Sequence, residues 1–300
     1  MRTTAAVTAN APAISRTLYT SLALLFALLW ASAFMGVKVG LRSSPPLFLM
    51  GFRFLIAGSA LLTLARLRGL ALPRTWRDWS RLIALGLLNN AAYLGLAAIA
   101  LRTLSGGMGA VLASTNPLML ALVAPLFLGE RLTLTRKVGF AVAFLSVVFI
   151  MYVRMGASEP LASMALMLLA NALMVAGTVL FKRWAPHQDL VVINGVQLLT
   201  ASVALLLPSL IFEPVSAVRW DASFLGAIAF LAGGVSCGAM LIWFWLLRAG
   251  DAARASAFLF LNPVFGLFLG ALLLREPLRP LDFAGTAGVA VGIYLVQRGA

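Results

Sequence analysis

The stretch STNPLMLALVAPLFLGERLT, residues 114–133, returns in altered form as FLFLNPVFGLFLGALLLREPLR, residues 258–279. Asn116-Pro117 precedes Glu130, and Asn262-Pro263 precedes Glu276 at the same spacing, so that each residue and its equivalent lie 146 positions apart. The chain therefore contains an internal repeat, and the fold has to accommodate two copies of one unit.

The composition predicts that most of the chain lies in lipid. Of its 300 residues, 62% are hydrophobic and only 11% are charged, and the mean hydropathy is +1.01. A water-soluble globule of this length has no means of covering so much apolar surface.

Because about 20 apolar residues are needed to cross a bilayer as a helix, the sequence predicts ten spans. They cover residues 18–40, 46–67, 80–101, 106–128, 134–153, 161–182, 190–212, 222–247, 253–274 and 280–297. The apolar runs are continuous and do not alternate with a period of two, which disfavours a transmembrane β-barrel. The predicted class is an all-α integral membrane protein.

The basic residues predict the orientation in the membrane. Residues 1–17 are expected to form a short cytoplasmic tail, because they precede a run too long for a signal-peptide core. On that assignment, fifteen of the 23 basic residues lie on the side of the N-terminus, seven lie on the other side, and Arg53 falls within the second span. This bias places both termini in the cytoplasm. It also accounts for the net charge of +14 through contact with anionic lipid, so nucleic acid is not an expected partner.

The repeat predicts an inverted architecture. Each copy contains five spans, and because five is odd the second copy enters the membrane from the opposite side. The predicted units are residues 18–153 and 161–297. An offset of 146 also relates Gly139 to Gly285, and an offset of 144 relates Gly51 to Gly195 and Arg53 to Gln197. Inverted repeats are a common plan for transporters that open alternately to the two sides.

Several motifs resemble one transporter superfamily. Trp30-Ala-Ser-Ala-Phe34, Phe52-Arg53-Phe54-Leu55-Ile56-Ala57 and Asn116-Pro117 with the later Leu128-Gly129-Glu130-Arg131 are similar to the EamA-type branch of the drug/metabolite transporters. The resemblance implies ten helices in two EamA repeats and export of small metabolites across a bacterial inner membrane. It is nearest to bacterial exporters of aromatic amino acids. The sixth span departs from the pattern, with Val175-Ala-Gly-Thr-Val-Leu-Phe181 where a tryptophan motif is absent.

The positions of the acids bear on the coupling mechanism. All nine acidic residues fall in loops or at span ends, whereas proton-coupled carriers usually place an ionisable group near mid-membrane. The sequence therefore predicts a facilitated carrier, or coupling that does not use a buried carboxylate, and a neutral or zwitterionic substrate.

The two Asn-Pro pairs are candidate helix breaks at the binding site. Pro117 and Pro263 each displace the carbonyl four residues earlier, which predicts free oxygens at Ala113 and Leu259 for a substrate ammonium group. Asn116 and Asn262 supply a donor and an acceptor beside each break. The alternative is a packing kink in which the asparagine satisfies the freed backbone.

Other polar and aromatic side chains at helical spacing are candidate cavity residues. The predicted substrate-binding set comprises Trp30, Asn89, Asn90, Tyr93, Asn116, Asn171, Met174, Ser236, Trp243 and Asn262. The alternative for these residues is interhelical hydrogen bonding and interfacial tryptophan. For Arg53 a structural role is favoured over a functional one, and Glu130-Arg131 and Arg275-Glu276 are expected to anchor helix ends through the following loop, with gating as the alternative.

The sequence therefore predicts an exporter of small amphipathic metabolites, most of all amino acids with large apolar side chains. A broader drug or nucleoside exporter is the main alternative, and a membrane-embedded transferase is a remote one, because no catalytic triad, HExxH helix or P-loop can be assembled. Cys237 and His187 are the only residues of their types, which excludes an internal disulfide and a Cys/His metal cluster. No cofactor is expected, and the predicted partners are a small-molecule substrate and membrane lipid, with no requirement for an oligomer.

Overall fold

The computed structural model describes residues 15–104, 106–154, 160–184, 186–274 and 278–299, and within these ranges the chain is helical without a strand. Ten helical segments follow the ten predicted spans. They are α1 (Arg16–Gly40), α2 (Pro46–Leu67), α3 (Trp76–Ala100), α4 (Gly106–Ala113 and Asn116–Leu128), α5 (Leu134–Arg154), α6 (Leu161–Trp184), α7 (Leu190–Phe212), α8 (Ala222–Ala249), α9 (Ala252–Ser256, Ala257–Phe260 and Leu261–Leu274) and α10 (Pro280–Arg298).

Most of these helices have the length and the composition of a membrane span. In the described part of the chain, seven helices are long and apolar enough to cross a bilayer, and the Asn116–Leu128 part of α4 is a shorter apolar helix. Large side chains such as Leu122, Leu126 and Phe212 are exposed on the outside of the bundle, where lipid replaces water. The predicted all-α membrane fold is confirmed.

The helix ends follow local sequence signals. Pro46 begins α2 at a position where its missing N–H costs nothing. Asp189 and Asp221 accept hydrogen bonds of 2.8 Å from the backbone N–H groups of Val191 and Phe224 at the starts of α7 and α8. Gly129 ends α4 in the left-handed conformation, with φ of 66°, which a residue with a Cβ adopts at a cost.

The packing has the symmetry that an inverted repeat requires. The second helix of each half, α2 and α7, pack along each other, and so do the fifth helices, α5 and α10. A Cβ added to Gly51 would lie 2.7 Å from the side chain of Leu206, and one added to Gly195 would lie 2.8 Å from that of Leu62. Both the two glycines and the two leucines are related by the offset of 144, so the same close contact is made twice across the axis.

Two helices are interrupted at corresponding positions. α3 is π-helical over Leu87–Ala92 and α8 over Phe230–Ala239, and these helices are the third of each half. π-helical turns inside α-helices are rare and frequent at functional sites. The repeat therefore places one irregular segment in each half, near the middle of the membrane.

The connections between the helices lie at the two ends of the bundle and define its two faces. The terminal face contains Ser15, Gly299 and the connections at residues 68–75, 129–133, 186–189 and 250–251. The opposite face contains residues 41–45, 101–104, 213–221 and 278–279.

Asp221 on the opposite face carries a pH dependence of stability. Its carboxylate accepts from the backbone N–H of Phe224 and from Ser43 Oγ, and these bonds, in that order, lower its pKa below the usual value. A lowered folded-state pKa contributes stability that is present above the unfolded-state pKa and is lost as the pH falls through the folded-state pKa.

We expect Asp221→Ala to lower the melting temperature of the detergent-solubilised protein modestly at pH 7. The deficit should begin to shrink as the pH falls below about 4, near the ordinary pKa of an aspartate, because the unfolded chain then takes up a proton first, and it should be smallest below the lowered folded-state pKa. Melting curves of both proteins at pH 7 and at acid pH measure this difference. A deficit that is equal at both pH values would assign the effect of Asp221 to its shape and not to its charge.

Candidate substrate cavity

One cavity lies between α1, α2, α3 and α8. It encloses about 410 Å³, its open mouth included. Its lining residues are Val235 of α8 and side chains that lie within residues 30–37 of α1, 50–53 of α2 and 93–101 of α3. These belong to the halves of α1, α2 and α3 nearer the opposite face, so the cavity lies in that half of the bundle.

Aromatic rings form much of the wall. Trp30 and Tyr93 both line the cavity and stack with their ring centroids 6.4 Å apart and their planes 14° apart. Behind them, the centroid of the Phe26 ring lies 5.6 Å from that of Trp30 and 5.1 Å from that of Trp243. Of the ten predicted binding residues, Trp30 and Tyr93 line the cavity, and Trp243 stacks on Phe26, which packs against Trp30.

Arg53 is the charged side chain of the cavity wall. It lies two turns into α2 and is 2% exposed. Its Nε donates to Ser236 Oγ at 3.0 Å, and its Nη1 lies 3.7 Å from Met50 Sδ. The guanidinium carbon also lies 5.0 Å from the centre of the Phe54 ring. Ser236, a predicted binding residue, is thus the neutral partner of Arg53.

Asn89 and Asn90 lie in the π-helical turn of α3, buried away from the cavity. Asn89 Nδ2 lies 3.4 Å from Gln197 Oε1 of α7, and its side-chain oxygen abuts Gly177 of α6 so closely that a Cβ there would overlap it. Neither amide atom of Asn90 has a partner among the described residues. These groups form a buried polar layer between the two halves.

Side chains and backbone groups of the protein itself form hydrogen bonds with the backbone carbonyl at the break in α4. The chain turns at Ser114-Thr115 before Asn116 and Pro117. The Leu112 carbonyl accepts from the Thr115 N–H at 3.1 Å, from Thr115 Oγ1 at 2.6 Å and from Asn171 Nδ2. Asn171 therefore forms a hydrogen bond with the interrupted backbone of α4. Met174, one turn further along α6, is 4% exposed.

The second break has a different local form. α9 passes through a 3₁₀ turn, Ala257–Phe260, immediately before the segment that contains Asn262 and Pro263. The Leu261 N–H is directed at the carbonyls of Phe258 and Leu259. Among the described residues, Asn116 Nδ2 and Asn262 Oδ1 are buried without a hydrogen-bond partner, so each break retains one unused polar atom.

The terminal face is tied together across the two halves. Glu130 accepts from the backbone N–H groups of Ala252 at 2.7 Å and Ala253 at 3.1 Å, at the start of α9. Glu130 therefore anchors a helix end, as expected, but its partners are the free N–H groups at the start of α9 in the other half and not groups of the loop that follows it. Arg275 and Glu276 lie outside the described residues.

Further contacts close the same face. Arg136 forms a salt bridge of 2.9 Å with Asp251. Lys182 donates to the carbonyls of Leu247 at 3.0 Å and Gly250 at 2.7 Å, at the end of α8. Charged groups thus tie helix ends together at the terminal face, away from the cavity.

Reasoning from the sequence missed two features of this site. Phe34 and Met50 line the cavity but belong to ordinary apolar runs, which give no signal. Arg53 did give a signal, since it is a charge inside a span, although its serine partner 183 residues away is not visible in the sequence.

Known proteins resemble this chain over nearly its whole length. Residues 17–152 and 162–298 each match the EamA-like transporter family. The protein named uncharacterized transporter YvbV of Bacillus subtilis is 29% identical over 87% of this chain and 85% of its own length. An uncharacterized transporter of Archaeoglobus fulgidus is 28% identical over 90% of this chain and 95% of its own length. The uncharacterized inner membrane transporter YedA of Escherichia coli K12 is 28% identical over 92% of this chain and 90% of its own length. A crystal structure with a TM-score of 0.80 and 21% identity covers 95% of this chain and 98% of its own, and shares the fold.

Proposed function

The chain belongs to the EamA-like transporter family, and we propose that it exports small amphipathic metabolites, most of all amino acids with large apolar or aromatic side chains, by alternating access. As a member of that family it is a multi-pass membrane transporter of small molecules. The observation that carries the finer proposal is the aromatic cavity in the half of the bundle nearer the opposite face, with Glu130 tying the two halves together at the terminal face.

The walls of the cavity suit an amphipathic molecule. Trp30, Phe34 and Tyr93 provide ring surfaces, and small residues such as Ala33 and Ala97 leave room beside them. Buried aromatic contacts contribute about 0.5–1.5 kcal/mol beyond the area that they remove from water. Polar contacts are few, so they would set the orientation of a substrate more than its affinity.

The repeat offers a counterpart of this cavity. Shifting Trp30 and Arg53 by 144 gives Met174 and Gln197, and shifting Val235 back by 146 gives Asn89. In the structure Met174, Gln197 and Asn89 are all buried, and Asn89 Nδ2 donates to Gln197 Oε1. We propose that this closed interface of α3, α6, α7 and α8 becomes the cavity when the protein opens to the terminal face.

This exchange gives roles to the predicted residues that are absent from the present cavity. Asn89, Asn90, Asn171 and Met174 would meet the substrate in the second state, and the breaks at Pro117 and Pro263 would absorb the bending of α4 and α9. The basic residues support a bacterial inner membrane location with the terminal face in the cytoplasm. Export then means loading from the terminal face and release at the opposite face.

Transport into liposomes of defined content tests the proposal. Purified protein should mediate saturable flux of labelled phenylalanine, tryptophan or leucine without a proton gradient, since the described cavity wall contains no carboxylate. Flux of nucleosides or lipophilic drugs in place of amino acids would support the broader exporter. Flux that requires a proton gradient would overturn the facilitated mechanism.

Trp30→Ala should raise the KM for aromatic amino acids by about tenfold or more. The change removes ring contacts with the substrate, and a loss of about 1.4 kcal/mol corresponds to a factor of ten. Trp76→Ala is the matched control, because Trp76 is 77% exposed at the start of α3 and should leave the KM unchanged. Equal KM values for the two variants would show that the cavity is not on the transport path.

A further inference from the structure

We propose that Arg53 binds a carboxylate group of the substrate, so that the molecules carried are organic acids with an aromatic or branched apolar body and need no amino group. This inference rests on the proposed function, because it takes the cavity between α1, α2, α3 and α8 as the place where the substrate sits. It narrows the substrate class from amphipathic metabolites to monocarboxylates of that shape, amino acids among them.

The first observation is the incomplete bonding of Arg53. A guanidinium has five N–H donors, and the partners of Arg53 are Ser236 Oγ, at 3.0 Å from Nε, and Met50 Sδ, a weak acceptor at 3.7 Å from Nη1. In the described part of the chain no carboxylate pairs with it. Because a charge within a membrane span is costly and marks a functional site by default, the unpaired charge of Arg53 on the cavity wall indicates a ligand there.

The surrounding helices offer no acid. α1, α2 and α8 contain none, and the one acid of α3 is Asp78 in its first turn at the terminal face. The two acids on the loops at the mouth are engaged elsewhere. Glu213 accepts from the backbone N–H groups of Leu47 and Phe48 at 2.9 Å, and Asp221 accepts from Ser43 and Phe224 at 2.8 Å.

Lys38 is a second basic side chain near the cavity, next in sequence to the lining residue Val37. It donates to the Leu104 carbonyl at 3.1 Å and adds positive charge. The cavity is therefore electropositive, with Arg53 as the charge that lines it.

The second half of the protein argues against a purely structural role. Gln197 occupies the position equivalent to Arg53, and it lies 3.4 Å from Asn89 of α3 much as Arg53 bonds Ser236 of α8. A neutral side chain thus makes the same kind of contact between the second helix of one half and the third helix of the other. The contact between these helices therefore does not require a charged residue, and we attribute the charge of Arg53 to the binding of a ligand.

A carboxylate is the ligand group that this site fits best. The planar guanidinium donates two parallel hydrogen bonds to a carboxylate, and such paired bonds are stronger than those between neutral groups. The rings of Trp30, Phe34 and Tyr93 lie on the same cavity wall and would contact the apolar body. The described wall offers no acid to a substrate ammonium group, so that group is not required for binding.

Equilibrium binding to wild-type protein in lipid nanodiscs tests the inference without a variant. The probes are phenylalanine, 3-phenylpropionate, which lacks the amino group, and phenethylamine, which lacks the carboxylate. We expect the two acids to bind within about tenfold of each other and the amine to bind at least about tenfold more weakly, the loss expected for one charge-assisted bond. Equal or tighter binding of the amine would overturn the inference.

Variants locate the effect at Arg53. Arg53→Gln copies the equivalent residue of the other half and should weaken binding of both acids by at least tenfold while leaving the amine unchanged. Arg53→Lys keeps the charge without the two-pronged geometry and should be intermediate. Arg219→Gln is the control, because Arg219 is exposed on the opposite face and donates to the Arg42 carbonyl. Unchanged acid binding by Arg53→Gln with a wild-type melting temperature would refute the assignment.

Flux in liposomes separates this inference from the proposed function. If the acids bind through Arg53 but do not cross the membrane, the carboxylate site stands and the transport proposal fails. If amines or nucleosides cross as fast as the acids and Arg53→Gln changes nothing, transport stands and the carboxylate site fails.

Discussion

Gly292→Leu is expected to destabilise the protein strongly. A Cβ at this position would lie 2.6 Å from Ala143 Cβ and 2.7 Å from Ala143 Cα. Gly139 has the reciprocal contact, with its Cβ position 2.7 Å from the Gly292 carbonyl oxygen. Because backbone atoms face each other on both sides, no rotamer change relieves the clash, and α5 and α10 would have to separate.

The expected loss exceeds about 3 kcal/mol, the upper end for ordinary overpacking, and lowers the melting temperature by about 10 °C or more. Size-exclusion chromatography and melting curves in detergent measure it. Gly266→Leu is the matched control, since nothing lies within 4 Å of a Cβ on Gly266, and it should behave as wild type. A monodisperse Gly292→Leu protein with normal melting would contradict the observed approach of α5 and α10.

The contrast between these two glycines shows the limit of what the sequence can predict. The ten spans follow from local apolar length, and their predicted ends agree with the helices to within a few residues, as for 190–212 and Leu190–Phe212. The inverted architecture followed from the repeat offset. Which glycine faces a backbone and which faces lipid depends on the partner helix, and the sequence alone does not contain that information.

The π-helical turns are a second example. Leu87–Ala92 contains no proline or glycine, so nothing in its sequence signals an interruption. A Cβ on Gly86, just before it, would lie 2.6 Å from the Gln197 carbonyl oxygen, which shows that α3 meets the backbone of α7 at this point. The irregular turn thus coincides with a long-range contact, and only the folded protein reveals it.

The candidate site was predictable in its chemistry more than in its location. Trp30 and Tyr93 were expected to line a cavity and do so, whereas Asn89, Asn171 and Met174 are buried at other interfaces. A carrier that alternates between two states shows only one of its cavities at a time. The assignment of these three residues to the second state therefore stays a proposal, and it can be tested through the Glu130 contact that ties the two halves together at the terminal face.

Glu130→Gln is expected to release that contact. The Glu130 carboxylate accepts from two backbone N–H groups at the start of α9, and hydrogen bonds to a charged group are worth about 1.5–3 kcal/mol each when buried. A glutamine keeps one neutral acceptor oxygen and loses the favourable charge at the helix start. Because Glu130 is only partly buried, we expect a net loss of about 1–2 kcal/mol, which raises the population open to the terminal face by roughly tenfold.

Thiol labelling of Met174→Cys in a Cys237→Ser background measures this population. Met174 is 4% exposed in this structure, so the introduced thiol should react slowly, and about tenfold faster when Glu130→Gln is added. Glu213→Gln is the matched control, because Glu213 holds the start of α2 in the same way but on the opposite face, in the half of the bundle where the cavity lies. An increase with both variants would indicate general loosening, and an increase with neither would show that Glu130 does not hold the terminal face closed. An increase with Glu130→Gln alone would identify the α4–α9 contact as the gate and place Met174 in the cavity behind it.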